Sequence, residues 1–237
     1  MLADIVDFTF PRPAAHRWNG GIWRNMRTPF WTTYYEEKIR GVFAKKGLIV
    51  DIGGGLRIDD KRGDKLNAEL QRKCMMYVED PAIDFKVTDY TDQYSPDLVE
   101  DIHALSFPDN TLDGLFCMAV LEHVYDPKKG AEEIVRVLKP GAQALLYVPF
   151  IYRYHANVTE DYRDYFRFSI DGIGYLFREC SSIEVCPVRG IFESLLRFTP
   201  LHRFAPLVMI LRLIDWSPPI RAISEKQSSG YFISLRK

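Results

Sequence analysis

Leu48-Ile49-Val50-Asp51-Ile52-Gly53-Gly54-Gly55, LIVDIGGG, joins a short apolar, β-branched run to a carboxylate and three glycines. An apolar run of this length, bounded by glycines, predicts a buried parallel strand. The glycines predict a loop after it where backbone approaches a ligand closely, with Gly53 and Gly55 leaving room where a Cβ would collide. Asp51 falls at the strand's end. A dinucleotide fingerprint requires a third glycine, G-x-G-x-x-G/A, to bring helix and strand together. Here Ile58 stands at that third position, which disfavours a nicotinamide dinucleotide.

Around this strand, 237 residues suffice for one large α/β domain with additions. A composition 47% hydrophobic and 27% charged is that of a globular enzyme. The formal net charge of -1 argues against general nucleic-acid binding, which needs many phosphate contacts. Charge is unevenly spread: +4 over residues 1–46, −8 over 47–150 and +3 over 151–237. An acidic core between basic flanks is either solvated surface or a device for holding an anionic substrate. Cys74, Cys117, Cys180 and Cys186 form no C-x-x-C pair, and read as reduced thiols of a cytoplasmic protein. The N-terminal MLADIVDFTF lacks the charge pattern of a signal peptide. No stretch reaches the ~20 apolar residues of a membrane span; Leu207 to Ile214 is interrupted by Arg212.

Residues 1–20 read as an irregular leader, and aromatic and apolar residues near helical spacing predict a helix over 30–45. A helical piece is expected around Lys65 to Met75, then a strand from Val78 to Asp89. Gly114 to Val120 is the next strand. Asp126-Pro127 starts a helix whose stripe is Ala131, Ile134, Val135 and Leu138, and Lys139-Pro140-Gly141 stops it before a strand at Ala144 to Val148. Strand, helix and strand make a right-handed crossover of a doubly wound sheet. A helix over 171–180, a strand over 182–188, an insertion over 191–228 and a terminal strand over 230–235 complete the chain.

The D-x-G-x-G spacing at Asp51 resembles the first motif of class I S-adenosylmethionine (SAM)-dependent methyltransferases. DIHALSFPDNTLD from Asp101, then LEHV, then EEIVRVLKPG, resembles the small-molecule methyltransferases known as type 11, over residues 48 to about 150. Ser106 and Ala142 stand where that pattern carries a proline and a second glycine. PFIYRYHANVTEDYRDYFRFS is similar to the H…D-Y-x-R-F continuation of a subset associated with polysaccharide and cell-surface glycan biosynthesis. The resemblance implies a mostly parallel, seven-stranded Rossmann-like sheet closed by an antiparallel last strand. The whole chain, 1–237, is then a single domain: an N-terminal helical cap (1–46), a SAM-binding core (47–150) and an acceptor-side half (151–237).

A ribose needs a carboxylate at a strand end, and Asp89 is the choice, with Asp80 and Asp84 as alternatives. By resemblance, Asp101 accepts from the adenine amine, the Ile102 amide donates to the ring, and Met118 and Ala119 line the methionine end, beside the loop of Asp51, Gly53, Gly54 and Gly55. Methyl transfer to a hydroxyl needs alignment, exclusion of water and a base. His155 is the expected base, with Asp161 its orienting partner or substitute, and His123 of Glu122-His123 is mainly positional. Tyr152, Tyr154, Tyr162 and Tyr165, interleaved with Arg153, Arg163 and Arg167, suit a sugar or an anionic acceptor. No metal is expected, although His155, Asp161 and Asp164 are oxygen-rich enough to be weighed for Mg²⁺. The favoured acceptor is an oxygen of a glycan or a lipid- or nucleotide-linked sugar. A quinone or polyketide methyltransferase, or a SAM-binding scaffold without turnover, is the alternative. Residues 191–216 hold too many apolar side chains for a surface loop, and read as a lid, a homodimer contact or a peripheral membrane contact.

Overall fold

The apolar run at Leu48 is the central strand of the molecule. The computed structural model describes residues 29–54, 68–157 and 162–237. In it β1 (Gly47–Ile52) lies between β2 (Ile83–Asp89) and β4 (Leu112–Met118), parallel to both. With β3 (Leu98–Val99), β5 (Leu138–Pro149), β6 (Ser182–Val188) and β7 (Gly230–Arg236), they form a seven-stranded sheet in the order β3-β2-β1-β4-β5-β7-β6. β7 runs antiparallel to both of its neighbours, as expected.

Because side chains alternate along a strand, a parallel sheet must be covered on both faces. Ile49, Phe116 and Leu145 point to one face, against α1 (Phe30–Phe43) and α2 (Ala68–Val78). Val50, Leu115, Cys117 and Leu146 point to the other, against α3 (Pro127–Val137) and α4 (Ile170–Leu176). The helix expected over 30–45 is α1, which buries Ile39, Val42 and Phe43.

Several boundaries differ from expectation, β4 among them, which runs two residues earlier than Gly114 to Val120. α2 continues through Val78, and the Asp80 carboxylate then accepts from the Ala82 amide at 2.9 Å in the turn, so β2 starts only at Ile83. Asp126 caps α3 through the Lys129 amide with Pro127 in the first turn, as its sequence predicts. The helix stops earlier, however: Leu138 is already extended, and Lys139-Pro140-Gly141 lies inside β5 rather than before it. Gly141 has φ +75° there, and the pairing register with β4 slips over the same residues. The helix expected over 171–180 is only Ile170–Leu176.

The connection from β6 to β7 is helical: α5 (Ile191–Leu196), α6 (Ala205–Asp215) and α7 (Pro218–Lys226). Its centre is polar. Buried Asp215 accepts from the Phe192 and Glu193 amides, both at 2.9 Å, and from the Ser224 hydroxyl at 3.0 Å. Arg212 donates to Glu193 through Nε and Nη2 and lies over the Trp31 ring. The apolar side chains turn outward instead, with Phe198, Leu201, Phe204, Ile210 and Leu213 each more than half exposed. No described helix is long and apolar enough to cross a membrane.

One ion pair fixes the loop that leads into the amino end of β4. Arg136 on α3 forks onto Glu133 (2.8 and 2.7 Å), and also donates to Asp109 and to the Leu105 and Phe107 carbonyls. Glu133 in turn accepts from the Leu105 amide. The Arg136 guanidinium holds the buried Glu133 carboxyl below its usual range. A depressed folded pKa stabilises above the unfolded value of about 4.3, and the stabilisation is lost as pH falls through the folded value. Glu133→Gln should therefore cost about 1–3 kcal/mol in urea unfolding at pH 7, typical of hydrogen bonds to a charged group. The deficit should shrink towards zero on acidification below pH ~4.

Candidate active site

At a topological switch point, parallel strands carry their loops away on opposite faces and leave a crevice at their carboxyl ends. A cavity of about 640 Å³ fills that crevice, lined by Ile52 and Gly53 after β1, Asp89 at the end of β2, and Met118 and Ala119 at the end of β4. Its volume is that of a small-molecule site. Ala119 has φ +58°, a left-handed conformation that turns the chain sharply after β4. Gly53 has φ +75°, and a Cβ there would sit 2.5 Å from Val120 Cγ2. The glycine thus answers first to the chain's own packing, and not only to a ligand as its sequence suggested. Asp51 is buried behind this wall and Gly54 has φ +55°. Gly55 lies outside the described residues.

Of the three ribose candidates, only Asp89 reaches the cavity, where its Oδ1 accepts from the Thr91 amide at 3.2 Å. Asp80 and Asp84 sit near the opposite end of β2, paired with Lys46 and Lys86, because parallel pairing sends only the carboxyl end of that strand to the crevice. Asp101 and Ile102 also line the cavity. Burial pushes the Asp101 carboxyl up, but the amide and ring of His103, at 2.9 and 2.6 Å, leave it below its usual range. His103 stacks on Tyr125, and both line the cavity. Neither was given a role from sequence, although His103 lies inside the DIHALSFPDNTLD stretch.

At the other end of the cavity the turn after β4, Leu121–His123, meets the segment after β5. The Glu122 carbonyl accepts from the Tyr165 and Phe166 amides and anchors that segment. The Glu122 side chain is buried with no hydrogen-bond partner for either oxygen among the described residues, and burial pushes its carboxyl up to about 8. His123 Nε2 stands 3.8 Å and His155 Nε2 3.9 Å from Glu122 Oε1. His123 Nδ1 bonds to the Arg163 carbonyl at 2.5 Å. His155 Nδ1 lies 3.2 Å from both the Arg153 carbonyl and Asp164 Oδ2. Desolvation pushes the His123 imidazole down. Sequence reasoning brought His155 and Asp161 together. Asp161 lies outside the described residues, and the carboxylate beside His155 is Asp164. Hydrogen bonds from Arg167 hold Asp164 down at about 2. Arg167 is spent on Asp164 and on the Tyr152, Arg153 and Phe166 carbonyls; Arg163 lines the cavity.

Comparison with known proteins agrees with this architecture. Residues 70–146 match the family model described as a methyltransferase domain. The ubiquinone biosynthesis O-methyltransferase of Klebsiella pneumoniae is 30% identical over 117 residues, 46% of this chain and 45% of that protein. That of Proteus mirabilis is 31% identical over 115 residues, 48% and 45% of the two chains. The match thus spans less than half the length of these curated relatives. A solved SAM-dependent methyltransferase from Archaeoglobus fulgidus superposes with TM-score 0.54 at 11% identity, covering 90% of this chain and 97% of that one, a likeness of fold. The sheet order is that of a Rossmann-like fold, and residues 70–146 within it match a methyltransferase domain, as the sequence led one to expect.

The close fit at Gly53 gives a direct check. Gly53→Ala should lose about 1–3 kcal/mol of stability from the positive φ, plus the clash with Val120. Adding Val120→Ala should recover the clash part and leave the φ part, as read by denaturant unfolding of the two variants.

Proposed function

We propose that the protein transfers a methyl group from SAM to a hydroxyl oxygen of a small molecule. The observation that carries this reading is a single cavity joining the carboxyl ends of β1, β2 and β4 to the Glu122–His123–His155 cluster. Asp89 faces it as a ribose acceptor, Asp101 and Ile102 as the adenine pair, and Gly53, Met118 and Ala119 as the wall of the methionine end. SAM supplies an electrophilic methyl on a sulfonium, for which a cavity edged by Asp89, Glu100 and Asp101 is suited. The chain must align the acceptor, exclude water and let the hydroxyl proton go, and the last task falls to the histidine cluster.

A phenolic ring of the quinone-precursor kind is the favoured acceptor, with a sugar as the alternative. Tyr90, Tyr94, Tyr125, Tyr162 and Tyr165 make the walls aromatic, and Arg167 is already spent within the protein. This favours a flat neutral ring over a phosphorylated sugar, and the O-methyltransferases matched above act in ubiquinone biosynthesis by name. A lipid-like acceptor also fits the outward apolar face of α5 and α6. Arg203 is exposed beside that face, while its nearby acids, Glu193 and Asp215, are buried. Charge and apolarity together support contact with an anionic membrane from the cytoplasmic side. Arg212, bonded to Glu193, takes no part in that contact.

Two experiments test the reading. Calorimetry with S-adenosylhomocysteine should show Asp89→Ala and Asp101→Ala each weakening binding by about 1–3 kcal/mol. His155→Ala should retain that binding and lose about 10²–10⁴-fold in transfer of labelled methyl to a hydroquinone. Equal affinity in both aspartate variants, or full turnover without His155, overturns the assignment. For the membrane contact, the protein should sediment with vesicles containing anionic lipid at low salt, and Arg203→Glu with Leu213→Ser should release it. Wild-type protein left in the supernatant would argue against membrane contact.

A further inference from the structure

Three lone-pair donors face one another at the acceptor end of the cavity; the two imidazoles meet edge to face, but no hydrogen bond links the three side chains. His123 turns Nδ1 to the Arg163 carbonyl, and His155 turns Nδ1 to the Arg153 carbonyl and Asp164. Each Nδ1 therefore carries the ring proton, and each Nε2 presents a lone pair. Both lone pairs converge on Glu122 Oε1, at 3.8 and 3.9 Å, too far for hydrogen bonds. Neither Glu122 oxygen has a donor among the described residues, although the side chain is only 1% exposed. Burying a carboxylate without a partner is costly unless it is protonated or meets a cation.

We propose that Glu122, His123 and His155 form a site for a divalent cation of the zinc class. The ligand atoms of the three residues all lie within 4.8 Å of one another. Tetrahedral bonds of about 2.1 Å need ligand atoms about 3.4 Å apart, so closure asks for a contraction of about half an ångström between Glu122 and each histidine, and of up to about 1.4 Å across the widest pair. Two imidazoles and one carboxylate, each imidazole with its second nitrogen tied to a carbonyl or carboxylate, is the donor set of zinc and its first-row neighbours; magnesium prefers oxygen. Three protein ligands leave a coordination position open to the cavity, which both histidines line.

The role of the cation, though not its binding, rests on the methyl-transfer reading. The acceptor hydroxyl takes the open position, and its proton leaves to solvent because coordination acidifies it. The oxygen then bonds to the methyl carbon as the carbon–sulfur bond breaks, and that electron pair stays on sulfur. With the cation bound, the histidines thus serve proton release as its ligands, by acidifying the hydroxyl, and not as free bases.

Binding is measured on the full chain without methyl donor. Titration with ZnCl₂ should show one equivalent bound, cobalt(II) should give visible absorption bands at the same stoichiometry, and MgCl₂ should leave both unchanged. Glu122→Gln and His123→Ala should each weaken zinc by at least about 100-fold. In the unmodified chain, ring-proton resonances of two histidines should shift during the titration, whichever variants fold. No bound zinc, no shifted histidine resonance, or undiminished binding by folded His123→Ala/His155→Ala overturns the site. Loss of zinc binding with S-adenosylhomocysteine binding intact refutes the cation alone; the reverse refutes the methyl-transfer reading alone.

Discussion

The fold depends on β1 being paired in parallel on both sides. A strand held between two parallel neighbours has no solvated face, so Ile49 and Val50 must both be buried, and helices must cover the sheet above and below. Covering both faces forces the connections from β1 to opposite sides. The crevice between them is then a by-product of chain topology, not of any particular side chain. Everything chemical in the molecule is arranged around that gap.

Two polar devices turn the gap into a defined cavity. Arg136 ties the loop after β3 to α3 through the Asp109 carboxylate and the carbonyls of Leu105 and Phe107, in the same loop that carries Asp101 and Ile102. On the far side, the Glu122 carbonyl holds the amides of Tyr165 and Phe166. The same residue that anchors the acceptor wall through its backbone buries its carboxylate under two histidines. The position of the facing segment and the buried carboxylate are therefore linked through a single residue.

Much of the fold was legible because its signals are local. The cap at Asp126, the proline after it and the apolar stripe of α3 sit within a dozen residues, and the strands flanking them are apolar runs. β3 escaped notice because its two residues are exposed and carry no periodicity. Lys139-Pro140-Gly141 looked like a stop, yet Leu138 could bury itself against Leu112 by entering the strand, and a positive-φ glycine absorbed the irregularity. The site was legible in part for a different reason. Motif residues such as Asp101 and Met118 are placed by the elements that carry them. The pairing of Glu122 with His155 depends on two segments meeting in space, and no spacing along the chain encodes it. Asp89 was preferred to Asp80 and Asp84 from its place at a strand end, and of the three it alone lines the cavity.

The helical excursion between β6 and β7 leaves the sheet after Val188 and returns at Gly230, and those two residues are cross-strand partners. Its entry and exit are thus separated by one strand spacing, as in a hairpin. A segment with that geometry is a cassette: it can lengthen, shrink or be replaced without moving any strand, because loop-closure cost grows only slowly with length. Its polar centre is also its own, since Asp215, Glu193, Arg212 and Ser224 satisfy one another within it, while Trp216 and Arg212 rest on Trp31 of α1. Such a module can vary while the sheet and the cavity at its carboxyl end stay untouched.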